Sequence, residues 1–117
     1  MHELSLAVEV LRLLEAQAPA LSRITDVTLT LGALGCVDEA ALRTALAHAL
    51  RGSLADGARI HTLREEAVSE CLDCGQTSTP TARTEPCPHC GSARRHWRSG
   101  QALQLTRIEG LAHPGAG

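Results

Sequence analysis

The fold of this chain is decided by two short segments, Cys71-Leu-Asp-Cys74 and Cys87-Pro-His-Cys90. Each is a C-x-x-C pair, and twelve residues separate the two pairs. Four thiolates that a short loop brings together make a tetrahedral S4 cage, the preferred site of structural Zn(II). Gly75 and Gly91 follow the pairs, where a residue without a Cβ can adopt the positive φ of a tight knuckle. The spacing predicts a metal site, with two disulfides or four unrelated thiols as the alternatives.

The composition is typical of a small protein with an aliphatic core. The chain has 117 residues, no Phe or Tyr and one Trp, so Leu, Val, Ile and Ala must supply the buried surface. Its formal charge of −2 argues against a nucleic-acid or membrane-surface protein, because these usually carry a basic excess. We find neither a secretory signal nor an apolar run of transmembrane length. We therefore predict a cytoplasmic location, where paired cysteines more often hold metal than form disulfides.

The hydrophobic pattern outside the cysteine segment predicts two helices and three strands. We expect helices over residues 3–18 and 38–50, the second with Asp38 as its N-cap. Strands are expected over residues 24–32 and 58–68, and a third strand, in which Leu103 and Leu105 alternate, follows the cysteine segment and ends near Glu109.

Two details of this pattern carry specific expectations. In the first strand, Val27, Leu29 and Leu31 are predicted to be buried. The polar residues that alternate with them, Asp26 among them, are predicted to face water. Cys36 stands apart from the cysteine pairs and could join a second metal site. We interpret it instead as a small buried hydrophobe.

The cysteine segment is predicted to be an insertion, because a strand flanks it on each side. We expect an α/β domain made of residues 1–70 and 99–110, a zinc-binding lobe over 71–98 and a disordered tail over 111–117. The predicted fold class is α/β (α+β), with two helices on a small three-stranded sheet and an inserted four-cysteine zinc-ribbon lobe.

The first three residues, Met1-His2-Glu3, offer a second kind of metal ligand. The Met1 amine, the His2 backbone nitrogen and the His2 imidazole follow one another in the chain and can close two fused chelate rings on one metal. Nitrogen-rich, tetragonal geometry suits Ni(II) or Cu(II) better than Zn(II). Taken alone, a histidine at position two is usually a solvated terminal residue, and Glu3 can simply complement the positive end of the first helix.

The segment Arg94-Arg95-His96-Trp97-Arg98 is a basic cluster with one aromatic residue. It could contact RNA or an acidic partner surface, although a solvated face with the tryptophan packed on the lobe is more common. His89 lies inside the second cysteine pair and His96 lies beside it. With four thiolates available, we expect neither histidine to bind zinc.

These motifs occur together, in the same order and spacing, in one known family. The segments that match are Met1-His2-Glu3-Leu4-Ser5, Leu31-Gly32-Ala33-Leu34, Cys71-Leu-Asp-Cys74-Gly75, Cys87-Pro-His-Cys90-Gly91-Ser92 and Ser99-Gly100-Gln101-Ala102-Leu103. From Met1 to about Glu109, the chain resembles the HypA/HybF family of hydrogenase nickel-incorporation proteins.

The resemblance implies a nickel metallochaperone and not an enzyme. It implies that Ni(II) is a cargo delivered to the large-subunit precursor of NiFe hydrogenase, with the GTPase HypB as partner, and that some relatives also serve urease and its accessory proteins. Carried over by residue, His2 is the nickel ligand beside the Met1 amine, and Glu3 and Asp38 match acidic residues near the nickel site. The ligands of a structural Zn(II) match Cys71, Cys74, Cys87 and Cys90.

Two other classes of protein stay open on the residues themselves. A rubredoxin-like electron-transfer protein also holds its iron in two C-x-x-C-G knuckles, but that class leaves residues 1–70 unexplained. A zinc-ribbon module associated with nucleic acid would show salt-dependent affinity for it. We predict binding to neither nucleic acid nor membrane, and either a monomer or a homodimer.

Overall fold

The structure, a computed structural model, describes residues 2–100 and 103–114. In chain order, the elements of the described residues are α1 (His2–Glu15), β1 (Leu21–Gly32), α2 (Glu39–Ala49), β2 (Arg59–Glu65), β3 (Val68–Cys71), β4 (Thr77–Ser78), β5 (Arg95–Ser99) and β6 (Leu103–Ala112). The two helices and a three-stranded sheet are present as predicted, and the predicted fold class is confirmed. The strand order of this sheet is β2-β1-β6, and a second three-stranded sheet has the order β4-β3-β5.

The chain forms two compact units. Unit 1 comprises Met1–Leu29, Val37–Thr62 and Leu105–Gly117, and unit 2 comprises Thr30–Cys36 and Leu63–Gln104. The zinc-binding lobe predicted over residues 71–98 lies inside unit 2, which continues beyond it on both sides. This extension follows from the pairing of β3 with β5, which runs from Val68 opposite Ser99 to Cys71 opposite Arg95.

The core of unit 1 is aliphatic, as the composition predicts. The two helices contact each other, and each has its buried residues at spacings of three or four, so that one face of the helix is covered. β1 adds alternating buried positions. The buried apolar side chains include Ala7, Val10 and Leu14 of α1, Ile24, Val27 and Leu29 of β1, and Leu42 and Leu46 of α2.

The first helix ends earlier than predicted. α1 stops at Glu15, and the residues after it form tighter turns, in which Gln17 N donates to Leu14 O at 3.0 Å and Ala18 N donates to Glu15 O at 3.1 Å. Pro19 follows and has no amide proton with which to continue a helix. Among the described residues, no helix has the length and apolar content required to cross a membrane.

The second helix begins where the sequence predicts. Asp38 has extended backbone angles, and its Oδ1 accepts a hydrogen bond from Ala41 N at 3.0 Å. This bond satisfies one of the amides at the helix start that have no partner within the helix. Asp38 is therefore the N-cap of α2.

We expect Asp38→Ala to lower the free energy of unfolding by about 1 kcal/mol, because the Ala41 amide loses its acceptor. Asp38→Asn keeps a side-chain oxygen at the cap and should remain close to the wild type. Urea unfolding followed by far-ultraviolet circular dichroism measures both variants. Equal stability of the alanine and asparagine variants would show that the cap contributes nothing.

The prediction that Asp26 of β1 faces water is wrong. The sequence places it on the wet face, but it is buried, because two residues of β2 cover its carboxylate. Asp26 Oδ1 lies 2.9 Å from His61 Nε2 and 3.0 Å from Arg59 Nε. Hydrogen bonds with His61 and Thr25, together with the charge of Arg59, hold the pKa of Asp26 below its ordinary value.

Because the pKa of Asp26 is lowered in the folded state, part of the free energy of unfolding depends on pH. The contribution of Asp26 is present above the pKa of an unfolded aspartate, about 3.9, and is lost as the pH falls through the lower folded value. We expect the melting temperature of the wild type to fall more steeply below about pH 4 than that of Asp26→Asn. Glu15→Gln removes an exposed carboxylate at the end of α1 and serves as the control, expected to keep the wild-type slope.

The strand predicted over residues 58–68 is wrong as a single element. β2 ends at Glu65 in one sheet, and β3 begins at Val68 in the other. Gly100 packs against this break: it has φ +84°, and a Cβ on it would lie 2.2 Å from Ala67 Cα. The chain therefore passes from one sheet to the other at Ala67, where the close packing of Gly100 leaves no room for a side chain at position 100.

The last strand is longer than predicted and takes in part of the predicted tail. β6 runs to Ala112, and Ser22 Oγ donates to the carbonyls of Leu111 and Ala112, each at 3.2 Å. Thr25 Oγ1 donates to Glu109 O at 3.3 Å, so that residue numbers fall in β6 as they rise in β1 and the two strands are antiparallel. The prediction of disorder is wrong for residues 111–112, and residues 115–117 lie outside the described part of the chain.

Candidate metal centre

The four paired cysteines converge on one point in unit 2. Their Sγ atoms all lie within 4.8 Å of one another, with 3.5 Å between Cys71 and Cys90 and 3.7 Å between Cys74 and Cys87. Four sulfurs at about 2.3 Å from a tetrahedral zinc are about 3.8 Å apart, so the cluster has the size of an S4 metal cage. Bonded sulfurs would be about 2.05 Å apart, so the alternative of two disulfides does not fit. The alternative of four unrelated thiols does not fit either, because all four sulfurs converge on one point.

Each cysteine pair lies in a knuckle with the same backbone pattern. Gly75 N donates to Cys71 O at 3.0 Å, and Gly91 N donates to Cys87 O at 2.8 Å. Both glycines have φ +77°, the left-handed conformation that the sequence predicts for them. The two knuckles therefore present their sulfurs through the same local geometry.

Backbone amides favour ionisation of the first thiol of each pair. Cys74 N lies 3.5 Å from Cys71 Sγ, and His89 N lies 3.4 Å from Cys87 Sγ. The hydrogen bond from the Cys74 amide lowers the pKa of Cys71 to about 6. Hydrogen bonds from the amides of Cys90 and His89 lower the pKa of Cys87. These two thiols are also the buried ones of the four.

The second thiol of each pair holds its proton more tightly. The Ser92 amide favours the Cys90 thiolate, but hydrogen bonds with the neighbouring thiols and partial desolvation of the sulfur outweigh it and raise the pKa of Cys90 to about 12. The Gln76 amide is likewise outweighed at Cys74 by partial desolvation and by the neighbouring thiols, and the pKa of Cys74 is raised. Four sulfurs this close cannot all carry negative charge without a cation among them.

This donor set fits a borderline or soft divalent ion. Thiolate sulfur selects such metals, and a bound ion would displace the remaining protons. Cys71, Cys74, Cys87 and Cys90 would hold it. An ion with four protein ligands has no open coordination position, so what it supplies is folding energy for the surrounding loops.

Side chains outside the cysteines tie the two knuckles together. The Asp73 carboxylate accepts hydrogen bonds from Ser92 Oγ and, at 2.8 Å, from Arg94 Nη1. Leu72 N donates to Arg94 O at 3.0 Å. Asp73 lies inside the first cysteine pair, whereas Ser92 and Arg94 follow the second. Sequence reasoning missed this clamp, and the one available signal was an acidic residue in one knuckle with a basic residue just after the other.

The basic cluster of residues 94–98 is partly neutralised within unit 2. Arg94 and Arg98 each form an ion pair with a carboxylate. Trp97 is half-buried, and the Arg95 guanidinium lies over its ring with its central carbon 5.3 Å from the ring centroid. This arrangement agrees with a solvated face and a packed tryptophan, which we regard as the more common use of such a cluster.

The N-terminal residues come together with Asp38 in unit 1. His2 is exposed at the start of α1, with its Nδ1 3.6 Å from Glu3 Oε2. Glu3 Oε2 also accepts a hydrogen bond from Asp38 N at 3.2 Å, and this bond holds the pKa of Glu3 below its ordinary value. Met1 lies outside the described residues. The structure therefore brings His2, Glu3 and Asp38 close together from two distant parts of the sequence.

These three side chains do not form a cage by themselves. Within residues 2–100 and 103–114, the cysteine cluster is the one group of three or more His, Cys, Asp or Glu side chains whose ligand atoms converge closely enough for a metal. Asp38 Oδ1 is used as the cap of α2, and Glu3 Oε2 accepts the Asp38 amide. The nickel ligands named from the sequence stay a prediction.

Cys36 corrects another prediction. It is exposed instead of buried, because it lies in the loop between β1 and α2, with φ +54° and its Sγ 3.6 Å from Leu34 O. It is not part of the cysteine cluster. His89 and His96 are exposed and are also outside the cluster.

The α/β unit and the four-cysteine cluster together define a small protein with a site that fits a metal ion. The sequence profile of the family described as "HypA: Hydrogenase/urease nickel incorporation, metallochaperone, hypA" matches residues 1–110. Hydrogenase maturation factor HypA of Aeromonas salmonicida (strain A449) is 34% identical over 111 residues, which are 93% of this chain and 98% of that protein. Hydrogenase maturation factor HybF of Salmonella typhimurium is 36% identical over the same shares of the two chains.

The chain belongs to the HypA/HybF family of hydrogenase maturation factors and nickel metallochaperones. A similar fold is found in the solution structure of the Ni metallochaperone HypA from Helicobacter pylori. That structure matches with a TM-score of 0.75 and 24% identity, over 95% of this chain and 98% of that one. The resemblance on which the sequence-based expectations rest is confirmed, and the rubredoxin-like and nucleic-acid classes are not favoured.

The cluster predicts a specific response to cobalt, which takes the same sulfur ligands as zinc and is coloured. We expect the metal-free protein to take up Co(II) with intense thiolate-to-cobalt charge-transfer absorption, and Cys74→Ser or Cys90→Ser to weaken both uptake and absorption. Because thiols must lose protons to bind, uptake should also weaken as the pH is lowered.

The matched control for this experiment is Cys36→Ser, which removes the fifth, exposed cysteine outside the cluster. It should leave the cobalt spectrum unchanged. A spectrum that Cys36→Ser alters as strongly as Cys74→Ser would contradict the assignment of the four ligands.

Proposed function

We propose that this chain carries Ni(II) during hydrogenase maturation. It binds the ion at its N-terminus and delivers it to the large-subunit precursor of NiFe hydrogenase. Family membership over residues 1–110 supports this, because the family is described by nickel incorporation. One observation carries the choice of site: the His2 imidazole is exposed in the first turn of α1, while Glu3 and Asp38 are bonded to each other beside it.

The nickel ligands in this proposal are nitrogens of the first residues. The Met1 amine, a local backbone nitrogen and the His2 imidazole supply the tetragonal, nitrogen-rich set that Ni(II) prefers. Glu3 and Asp38 contribute negative charge close by and hold the first turn of α1 in place. An exposed chain end is suited to a carrier because it can release its ion without unfolding a core.

The four-cysteine site holds Zn(II) in this proposal and is structural. Zinc with four thiolates offers no open position to a substrate, so the chain acts as a binding protein and not as an enzyme. Free thiols in place of disulfides suit the reducing cytoplasm, where we place the protein.

The partners in this proposal are those that membership of the family implies, with the GTPase HypB first among them. The sequence contains no G-x-x-x-x-G-K-[ST] phosphate loop, which is consistent with assigning nucleotide hydrolysis during transfer to HypB. The large-subunit precursor receives the nickel, and urease accessory proteins are further partners of some relatives. Nucleic acid and membranes are not partners, and the protein works as a monomer or a homodimer.

Nickel titration of untagged protein tests the carrier site. We expect the wild type to bind about one Ni(II) per chain and His2→Ala to lose this binding while it keeps its zinc, since imidazole is the strongest side-chain ligand available there. His48→Ala removes an exposed histidine at the end of α2 and should bind nickel like the wild type. Normal nickel binding by His2→Ala would place the carrier site elsewhere.

The chain end itself can be tested without changing a side chain. A Gly-Ser extension before Met1 moves the free amine away from His2 and turns the Met1 nitrogen into an amide. We expect the extended protein to bind nickel more weakly, with its zinc content unchanged, in calorimetry alongside the untagged chain. Equal affinities would show that the terminal amine is not a ligand.

A further inference from the structure

Arg95 lies directly across the sheet from a cysteine of the metal site. The antiparallel pairing of β3 with β5 places Arg95 opposite Cys71. Side chains of directly opposite residues in such a pair lie on the same face, with Cβ atoms about 4.5–5.5 Å apart. The arginine is therefore a cross-strand neighbour of one of the two buried sulfur ligands.

Two further contacts fix the Arg95 guanidinium in unit 2. Its Nη2 donates to the carbonyl oxygen of Glu85, two residues before Cys87. Its central carbon lies 5.3 Å from the centroid of the Trp97 ring. The cation is thus held between the strand that carries Cys71 and the segment that leads into Cys87, the two buried cysteines of the cluster.

The remaining arm of this guanidinium, Nη1, has no hydrogen-bond partner within the described part of the chain. Arg95 Nη1 is buried and, among the described residues, makes no hydrogen bond. A buried donor without an acceptor costs free energy, so such a group in a folded protein calls for an explanation. The neighbouring Arg94 and Arg98 are each neutralised by a carboxylate, whereas the contacts described for Arg95 are a carbonyl and an aromatic ring.

A loaded metal site would provide a hydrogen-bond acceptor for Nη1 and a negative charge beside the guanidinium. A divalent ion with four thiolates leaves two negative charges, and metal-bound sulfur accepts hydrogen bonds from nearby N–H groups. A positive charge held beside the cage offsets the net negative charge of the loaded site. The half-buried arginine, with its buried Nη1, and the loaded cage therefore compensate each other.

We propose that Arg95 is the counter-charge of the four-cysteine metal site and that its buried Nη1 serves as a hydrogen-bond donor to that site. It is a positioning residue and not a ligand. The inference rests on the structural metal of the proposed function and is independent of the nickel site.

Metal release from the full-length, zinc-loaded protein tests this role. We expect Arg95→Gln to release zinc to a chromogenic chelator about 10-fold faster than the wild type, the usual scale for loss of an outer-shell partner. Arg95→Lys keeps the charge and should recover most of the slow release. Arg98→Gln is the matched control, because it removes an arginine of the same strand that pairs with Glu70, and it should release zinc at the wild-type rate.

The cobalt-substituted proteins provide a second readout, which distinguishes loss of the positive donor from simple loosening of the segment that leads into Cys87. Loss of a positive donor raises the energy of the sulfur electrons, so the charge-transfer bands of Arg95→Gln should shift to longer wavelength relative to the wild type and Arg98→Gln. An unshifted spectrum, or release from Arg95→Lys as fast as from Arg95→Gln, would overturn the assignment.

The wild type separates this inference from the proposal beneath it. If the wild-type protein takes up neither zinc nor cobalt at the cysteines, the proposed structural metal fails and the role of Arg95 fails with it. If the wild type loads normally and Arg95→Gln matches it in release rate and spectrum, the role of Arg95 alone is wrong.

Discussion

Mutual repulsion among four sulfurs is the constraint on which the organisation of unit 2 depends. Thiols within 4.8 Å of one another cannot all ionise, yet a metal needs all four as thiolates. The fold addresses this conflict locally, since each knuckle directs an amide toward its first sulfur. The Asp73 clamp holds the two knuckles together. Arg95 places a positive charge opposite Cys71 on the neighbouring strand. The positive charge of the ion is the remaining requirement.

The two candidate metal sites differ in how each is held. The cysteine cluster is built from backbone geometry repeated in two knuckles, with its ligands fixed by strands and by glycines in the left-handed conformation. At the N-terminus, a side-chain hydrogen bond joins the Asp38 amide at the cap of α2 to Glu3 of α1, and the His2 imidazole is exposed. In the proposed function, the cysteine cluster keeps its zinc, whereas the N-terminal residues release their nickel to a partner.

Local signals in the sequence predicted the parts of the fold that local physics determines. The cysteine spacing predicted the cluster, the positions of Gly75 and Gly91 predicted the left-handed turns, and Asp38 was recognised as an N-cap. Each of these depends on residues only a few positions apart, so the pattern and the geometry coincide.

The predictions that failed depend on partners that are distant in sequence. Asp26 is buried because His61 and Arg59, more than thirty residues away, supply its hydrogen bonds. Periodicity alone assigns such a carboxylate to solvent. The strand over residues 58–68 splits because its two halves join different sheets. None of these pairings can be recognised from the sequence of either segment alone.

Trp97 has a practical consequence for anyone who studies this protein in solution. It is the sole tryptophan, and the chain contains neither tyrosine nor phenylalanine, so all of the intrinsic fluorescence arises from one ring in unit 2. That ring lies beneath the guanidinium of Arg95, on the strand that faces Cys71. Emission spectra will therefore report the surroundings of the sulfur cluster, and no part of the signal will originate from a ring in unit 1.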